Sequence, residues 1–120
     1  MSMANTVSVG MQGQKIAEEY LTSRRCEILE RNYRTRFGEI DLIIRDGQTI
    51  AFVEVKLRRT LRFGTPAEAV TKVKQKKIKR VALYYALRHN PNAAYRFDVV
   101  EILSLSGQKT MINHITDAFV

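Results

Sequence analysis

The feature that most constrains this chain is a pair of β-rich runs around one Asp-Gly. Glu39 to Arg45 reads Glu-Ile-Asp-Leu-Ile-Ile-Arg, and Thr49 to Leu57 reads Thr-Ile-Ala-Phe-Val-Glu-Val-Lys-Leu. β-Branched and aromatic side chains of this kind suit a pleated, half-buried surface. Asp46-Gly47 between the runs is a hairpin signal, because glycine supplies the positive φ that a tight turn requires. A hairpin this apolar must bury its faces, so the rest of the chain has to cover it.

Two acids interrupt the apolar runs. Asp41 lies between Ile40 and Leu42-Ile43-Ile44, and Glu54 lies between Val53 and Val55 with Lys56 next. Side chains alternate along a strand, so Glu54 and Lys56 share a face. A turn centred on Asp46-Gly47 opposes Asp41 to Phe52, and one centred on Gly47-Gln48 opposes it to Glu54. In both registers Asp41, Glu54, Lys56 and Glu39 point to one side, whereas a loop with an odd number of residues breaks this. Two carboxylates brought together repel, and neither stays ionised cheaply without a counter-charge. A divalent cation supplies one: Mg²⁺ takes one or two carboxylates together with water and substrate phosphate. Lys56 beside the pair would stabilise that phosphate or help to activate an attacking water. The simpler alternative is a cross-strand salt bridge from Asp41 or Glu54 to Lys56 on an exposed sheet face.

The flanking sequence predicts the cover. Ile16, Ala17, Tyr20 and Leu21 form one helical stripe over Gln14 to about Ser23. Cys26, Ile28 and Leu29 suggest a short strand, and Asn32 to Phe37 reads as a turn or irregular strand. Phe63-Gly64-Thr65-Pro66 opens a long helix, with Thr65 as N-cap and Pro66 at its first position. Its stripe is Val70, Val73, Ile78, Val81, Ala82 and Tyr85, and His89-Asn90-Pro91-Asn92 ends it. Tyr95 to Ile102 is a last clear strand, and the tail adds one more strand or a docking segment. The order predicts an α/β fold, a mixed β-sheet flanked by helices. Residues 1–9 read as a disordered lead-in and 10–120 as a single domain, a length too short to divide in two.

Charge narrows the partner. The chain carries a net +8, and residues 56–80 hold ten of its 20 basic residues against one acid, Glu68. That block carries +9, so the remainder sums to −1. Such a block is the electrostatic footprint of a polyanion, nucleic acid before anionic membrane. Lys72, Lys76, Lys79 and Arg80 fall largely off the apolar stripe and would meet phosphates, which give affinity without sequence selectivity. Arg58, Arg59 and Arg62 lie between the hairpin and the helix, where they would clamp DNA. Lys72 or Lys76 would be the helix residue reaching the carboxylates. No apolar run approaches the ~20 residues of a membrane span. The lone Cys26 excludes an internal disulfide and suits a reducing, cytoplasmic setting, where it would be a small buried side chain. His89 and His114 are not spaced for zinc. Asp98, in Arg96-Phe97-Asp98-Val99, reads as a structural acid paired with a nearby arginine.

Asp41 followed after a hairpin by Glu54-Val55-Lys56 resembles the PD-(D/E)XK nuclease pattern, with Ile40-Asp41 in place of its first pair. More of the chain agrees. Gly10-Met11-Gln12-Gly13-Gln14, Arg31-Asn32-Tyr33-Arg34, Gly38-Glu39-Ile40-Asp41-Leu42-Ile43, Phe52-Val53-Glu54-Val55-Lys56, Phe63-Gly64-Thr65-Pro66 and Arg96-Phe97-Asp98-Val99-Val100 are together similar to the YraN-like endonuclease family. The resemblance implies a restriction-endonuclease-like fold related to archaeal Holliday-junction resolvases. It also implies hydrolysis of DNA phosphodiesters, in branched DNA for the resolvase branch, with Mg²⁺ (or Mn²⁺) as cofactor and a homodimer as the assembly. Asp41 and Glu54 become the metal ligands and Lys56 the catalytic lysine. One position departs from the family pattern: a first-helix Gly-Glu is here Gly13-Gln14. Glutamine offers a carbonyl oxygen but neither charge nor a base, and Glu18 one turn on is the nearest substitute. The alternative this raises is a DNA-binding module with a degenerate site.

Overall fold

The computed structural model describes residues 2–59, 70–105 and 107–120, with side chains from Gln12 onward. The elements run α1 (Ser2–Ser23), β1 (Glu27–Thr35), β2 (Gly38–Asp46), β3 (Thr49–Arg58), α2 (Lys72–His89), β4 (Ala94–Leu103) and β5 (Met111–Phe119). The strands form one five-stranded sheet in the order β1-β2-β3-β4-β5. Every pairing is antiparallel except β3 with β4, which is parallel and is connected through α2. Antiparallel neighbours need only a short turn, whereas a parallel pair needs a long crossover, and α2 is that crossover.

The hairpin turns on Gly47-Gln48, because Asp46 pairs with Thr49, and Gly47 takes φ +63°. Alternation along the strands then sorts the core. Ile50 and Phe52 pack on one side with Ile78, Val81, Ala82 and Tyr85 of α2. Ala51 and Val53 pack on the other with Ala17 and Leu21 of α1. One helix therefore covers each face. This is the α/β arrangement expected, and it is consistent with a restriction-endonuclease-like fold.

Several local expectations are resolved or change. Asn32 to Phe37 is an irregular strand that ends in a turn, within the two forms expected: β1 is continuous to Thr35, accommodating a register shift between Ile28 and Glu30 and a left-handed φ of +50° at Asn32. Asparagine tolerates that φ better than most side chains, so the polar stretch stays in the sheet. The actual turn is Arg36-Phe37, where Thr35 Oγ1 accepts the Phe37 N–H at 3.0 Å. The second helix begins at Lys72, not Pro66. Thr71, in extended conformation, caps it by accepting the Lys74 N–H at 3.2 Å. Thr65 and Pro66 lie outside the described residues. Val73 leaves the stripe and is 67% exposed, because its five-residue spacing from Ile78 puts it well round the helix from the buried Ile78, Val81 and Tyr85. α1 starts well before Gln14. Its bounds are Ser2–Ser23, since propagation of a formed helix adds one hydrogen bond per residue without needing an apolar stripe. The side chains of the expected lead-in, residues 1–9, lie outside the described ones. The tail is a full strand, β5, paired with β4. Among the described residues, no helix is long and apolar enough to cross a membrane.

Candidate functional site

The site forms where the sheet divides. The β2–β3 ladder runs from Asp46↔Thr49 to Leu42↔Val53 and stops. β1–β2 pairing continues to Thr35↔Gly38, and β3–β4 pairing continues to Arg58↔Leu103. Beyond Leu42 and Val53 the two halves of the sheet therefore separate. Ile40 and Ile43 both pack on the α2 side, so strict alternation is broken across Asp41-Leu42 at that point. Asp41 Oδ2 accepts the backbone N–H of Val55 at 2.8 Å. A side-chain carboxylate thus takes a strand N–H that would otherwise lack a partner, since β3 has no backbone ladder to β2 there.

Glu54 is 4% exposed and points to the α2 side. Two ammonium groups meet its Oε2: Lys56 Nζ at 3.7 Å, and Lys74 Nζ in direct contact. Gly13, Gln14, Asp41, Glu54, Lys56 and Lys74 line a small open cleft of about 240 Å³. Larger depressions exist elsewhere: two have no acidic lining, and a third, along α1, is lined by Glu18 and Glu19 but is shallow and has a single lysine beside them. Burial pushes the Asp41 carboxyl up, and the Glu54 charge beside it adds to this. The Val55 N–H and Lys74 oppose them, and the result is about 7. Burial acts to lower the Lys74 ammonium, but its hydrogen bond to Glu54 and the charges of Glu54 and Asp41 hold it above its ordinary value. The cleft is thus acid-rich, partly desolvated and in need of positive charge, and lysines supply it.

The structure brings Asp41, Glu54 and Lys56 together, as the spacing predicted for a Gly47-Gln48 turn. Glu39 turns elsewhere, to Asn32 at 2.8 Å and Arg34 at 2.9 Å. The Asn32 hydrogen bond, ahead of burial and of Arg34, accounts for its lowered pKa. Gln14 reaches the cleft wall, but its amide is tied to Asn32 by two reciprocal bonds of 2.9 and 3.2 Å. Glu18 does not line the cleft, since it pairs with Arg31 at 2.7 Å. Among the described residues no three His, Cys, Asp or Glu side chains gather around one point.

Sequence reasoning missed Lys74 and named Lys72 or Lys76 in its place. Both of those are exposed. The signal was present: Lys74, Ile78, Val81 and Tyr85 are spaced four, three and four apart, so Lys74 continues the buried stripe. A charged residue on such a stripe calls for a buried partner. Lys79 and Arg80 are also exposed on α2, and Arg59 is exposed beyond β3. Arg58 turns onto Glu101 at 2.7 Å, and Arg62 lies outside the described residues.

A second polar cluster is structural. Asp98 is fully buried on the α1 side, held by Arg96 at 2.9 Å, His114 at 2.8 Å and the Asp117 N–H at 3.0 Å. Arg96 also reaches Asp46 at 2.8 Å, fastening β4 to the hairpin turn. The expected Asp98–arginine pair is present, and Cys26 is buried.

Residues 13–102 match the family described as "Uncharacterised protein family UPF0102". A "UPF0102 protein" of Nocardia farcinica is 48% identical over 113 residues, 93% of this chain and 89% of its own length. One from Caldicellulosiruptor saccharolyticus is 46% identical over 117 residues, 96% of this chain and 99% of its own. One from Geobacter metallireducens is 48% identical over 120 residues, 99% of this chain and 97% of its own.

Proposed function

The chain belongs to UPF0102, the YraN-like family, and from that premise we propose that it is a Mg²⁺-dependent DNA endonuclease. The observation that carries the reading is the Asp41–Glu54 pair at the division of the sheet. Two carboxylates share a partly desolvated cleft, and lysine ammonium groups provide their counter-charge. An arrangement in which burial, and then the Glu54 charge, raises one carboxyl to about 7 fits a divalent cation, because the cation offsets both causes of the shift. Asp41 and Glu54 would hold it, and when bound it would supply Lewis-acid polarisation of a phosphodiester and of an attacking water.

The remaining roles belong to the chain. Lys56, on the same face as Glu54, is placed to donate to a non-bridging phosphate oxygen and stabilise the charge that builds there. Lys74 holds Glu54 in its rotamer and keeps positive charge at the cleft when no cation is present. The Asp41–Val55 hydrogen bond fixes the first carboxylate to the strand that bears the second, so their separation is set by backbone. The exposed Lys72, Lys76, Lys79 and Arg80 give α2 a phosphate-facing side, and Arg59 extends it.

One observation favours a second reading, a DNA-binding module with a degenerate site. Gln14 spends its amide on Asn32, which leaves Asp41 and Glu54 as the two acids of the cleft. Cleavage of labelled four-way junctions, flaps, single strands and plain duplex in Mg²⁺ or Mn²⁺ separates the two, with Glu54→Ala alongside. The endonuclease reading expects cutting by the wild type and none by the variant. Salt-dependent binding by both without cutting would overturn it in favour of the module.

A further inference from the structure

The β1–β2 turn folds back against the last turns of α2. Tyr33, Arg34, Arg36 and Phe37 from the hairpin and Tyr84 and Arg88 from the helix line an open depression of about 630 Å³. No acidic residue lines it. Its floor is aromatic: Phe37 and Tyr84 stand 6.5 Å apart at 63°, and Tyr33 sits edge-on to buried Tyr85 at 5.3 Å. Its lid is cationic: the Arg88 guanidinium lies 4.2 Å over the Tyr84 ring, and that of Arg36 lies 5.0 Å from the Phe37 ring. Among the described residues neither Arg36 nor Arg88 has a carboxylate partner. Both are exposed. Two cations are thus held over rings and exposed on their outer sides.

We propose that this depression is a stacking platform for an unpaired nucleobase of DNA, which would take the Tyr84 face as the Arg88 guanidinium moves from the ring to the phosphate, with Phe37 at its edge and Arg36 beside it. Aromatic rings and guanidinium planes accept any base, because every base has a π-face. The depression adjoins the end of α2 at His89, where the negative end of the helix dipole disfavours an anion. A neutral ring bears no such penalty, which favours a base over a bare phosphate on Tyr84. The platform is also joined to the cleft. Arg34 lines the depression and binds Glu39, which also accepts from Asn32, and Asn32 in turn holds Gln14 at the cleft wall. A strand whose unpaired base sits on Tyr84 is thereby offered a polar track toward Asp41 and Glu54. The inference names the substrate class of that cleft, DNA with unpaired nucleotides beside the scissile bond. It rests on the endonuclease reading for cleavage, but not for binding.

Fluorescence anisotropy in EDTA tests it. The probes are a labelled single-stranded oligonucleotide, the same strand with abasic sites, and the matching duplex. Tyr84→Ala and Arg88→Ala are each expected to weaken single-strand binding about tenfold, the size of one lost base stack. Tyr84→Phe is expected to keep it. Duplex and abasic binding should hardly respond to Tyr84→Ala, which also shows that the variant is folded. Unchanged single-strand affinity in both alanine variants overturns the proposal. So does an equal loss on all three probes, which marks a phosphate-holding face. No single-strand binding by the wild type overturns it as well. Cleavage in Mg²⁺, measured separately, keeps the two ideas apart: Tyr84-dependent binding without cutting sinks the endonuclease and leaves the platform, and cutting with Tyr84-independent binding does the reverse.

Discussion

Asp41→Asn is expected to make the metal-free protein more stable, by a margin that grows with pH. The carboxyl moves from an ordinary value of 3.8 to about 7 through burial and the neighbouring Glu54 charge. Below pH 3.8 both the folded and unfolded chains hold this proton, so it contributes nothing. Between the two values the unfolded chain ionises while the folded one keeps its proton, and stability falls as pH rises. Above about 7 both are ionised and the full penalty is present. At about 1.4 kcal/mol per pH unit, the interval corresponds to roughly 4 kcal/mol. Asparagine keeps an oxygen to accept the Val55 N–H, and its amide can donate to Glu54. The bond to Val55 weakens on losing its charge, by about 1 kcal/mol. A net gain on the order of 2–3 kcal/mol remains above neutrality.

The assay is urea denaturation of wild type and variant in chelator at several values between pH 4.5 and 8. With an m-value of ~2 kcal/mol/M, the variant's midpoint should lie about 1 M higher at the alkaline end and converge on wild type at the acid end. Glu54→Gln is the contrast. It removes the same repulsion but strands Lys74, so it should not stabilise. A difference that stays flat with pH, or an Asp41→Asn protein less stable than wild type at pH 8, would refute the account of the cleft as a strained carboxylate pair.

Lys74→Met should cost about 1–2 kcal/mol, less than the ~3–5 kcal/mol of a broken fully buried pair, because Lys56 stays 3.7 Å from Glu54 and Lys74 is 44% exposed. Lys74→Arg should recover most of it, and an unchanged urea midpoint in Lys74→Met would remove Lys74 from the site. Asp98→Asn should cost on the order of 1–3 kcal/mol, since Arg96 loses its buried counter-charge but keeps Asp46 at 2.8 Å. Burial alone would raise the Asp98 carboxyl, but the His114 and Arg96 hydrogen bonds together hold it below 3.8. That stabilisation is present above 3.8 and lost as pH falls through the lower folded value, so the wild type's advantage should shrink in acid thermal melts. Gln14→Glu gives the cleft a third carboxylate and should tighten Mn²⁺ binding by on the order of tenfold in calorimetry. If that variant cuts DNA where the wild type does not, Gln14 is what limits catalysis.

Much of this was legible because strands and helices impose fixed periods. The hairpin, its Gly47 turn and the shared face of Glu54 and Lys56 follow from alternation once the turn length is known. What alternation cannot give is where a ladder ends. Asp41 and Glu54 sit where the β2–β3 pairing stops at Leu42↔Val53, a tertiary outcome of β1 and β4 continuing on either side. The start of α2 is ambiguous in the sequence because Thr65-Pro66 and Thr71 both carry cap chemistry; the observed cap is Thr71, and the helix phase follows from the buried Ile78, Val81 and Tyr85. That phase puts Lys74 inside and Val73 outside. His114 gave no local hint of its role, since its partner Asp98 is 16 residues away on a neighbouring strand.

The division of the sheet makes fold and site depend on the same atoms. Had the β2–β3 ladder continued, the Val55 N–H would meet a backbone carbonyl and the cleft would close. Asp41 satisfies that N–H with a carboxylate, so the strands stay apart and a charge is left between them. The charge attracts whatever cation the chain or the solvent can offer, and Thr71 caps α2 so that Lys74 arrives from its first turn. Lys72, Lys76 and Lys79 leave the same helix on its exposed side. On the endonuclease reading, α2 therefore does two things with one set of lysines: an inward one balances the acids, and the outward ones, which line a separate depression beside the end of β5, give the helix a phosphate-facing side. A substrate arriving with its own divalent cation would compete with Lys74 for Glu54.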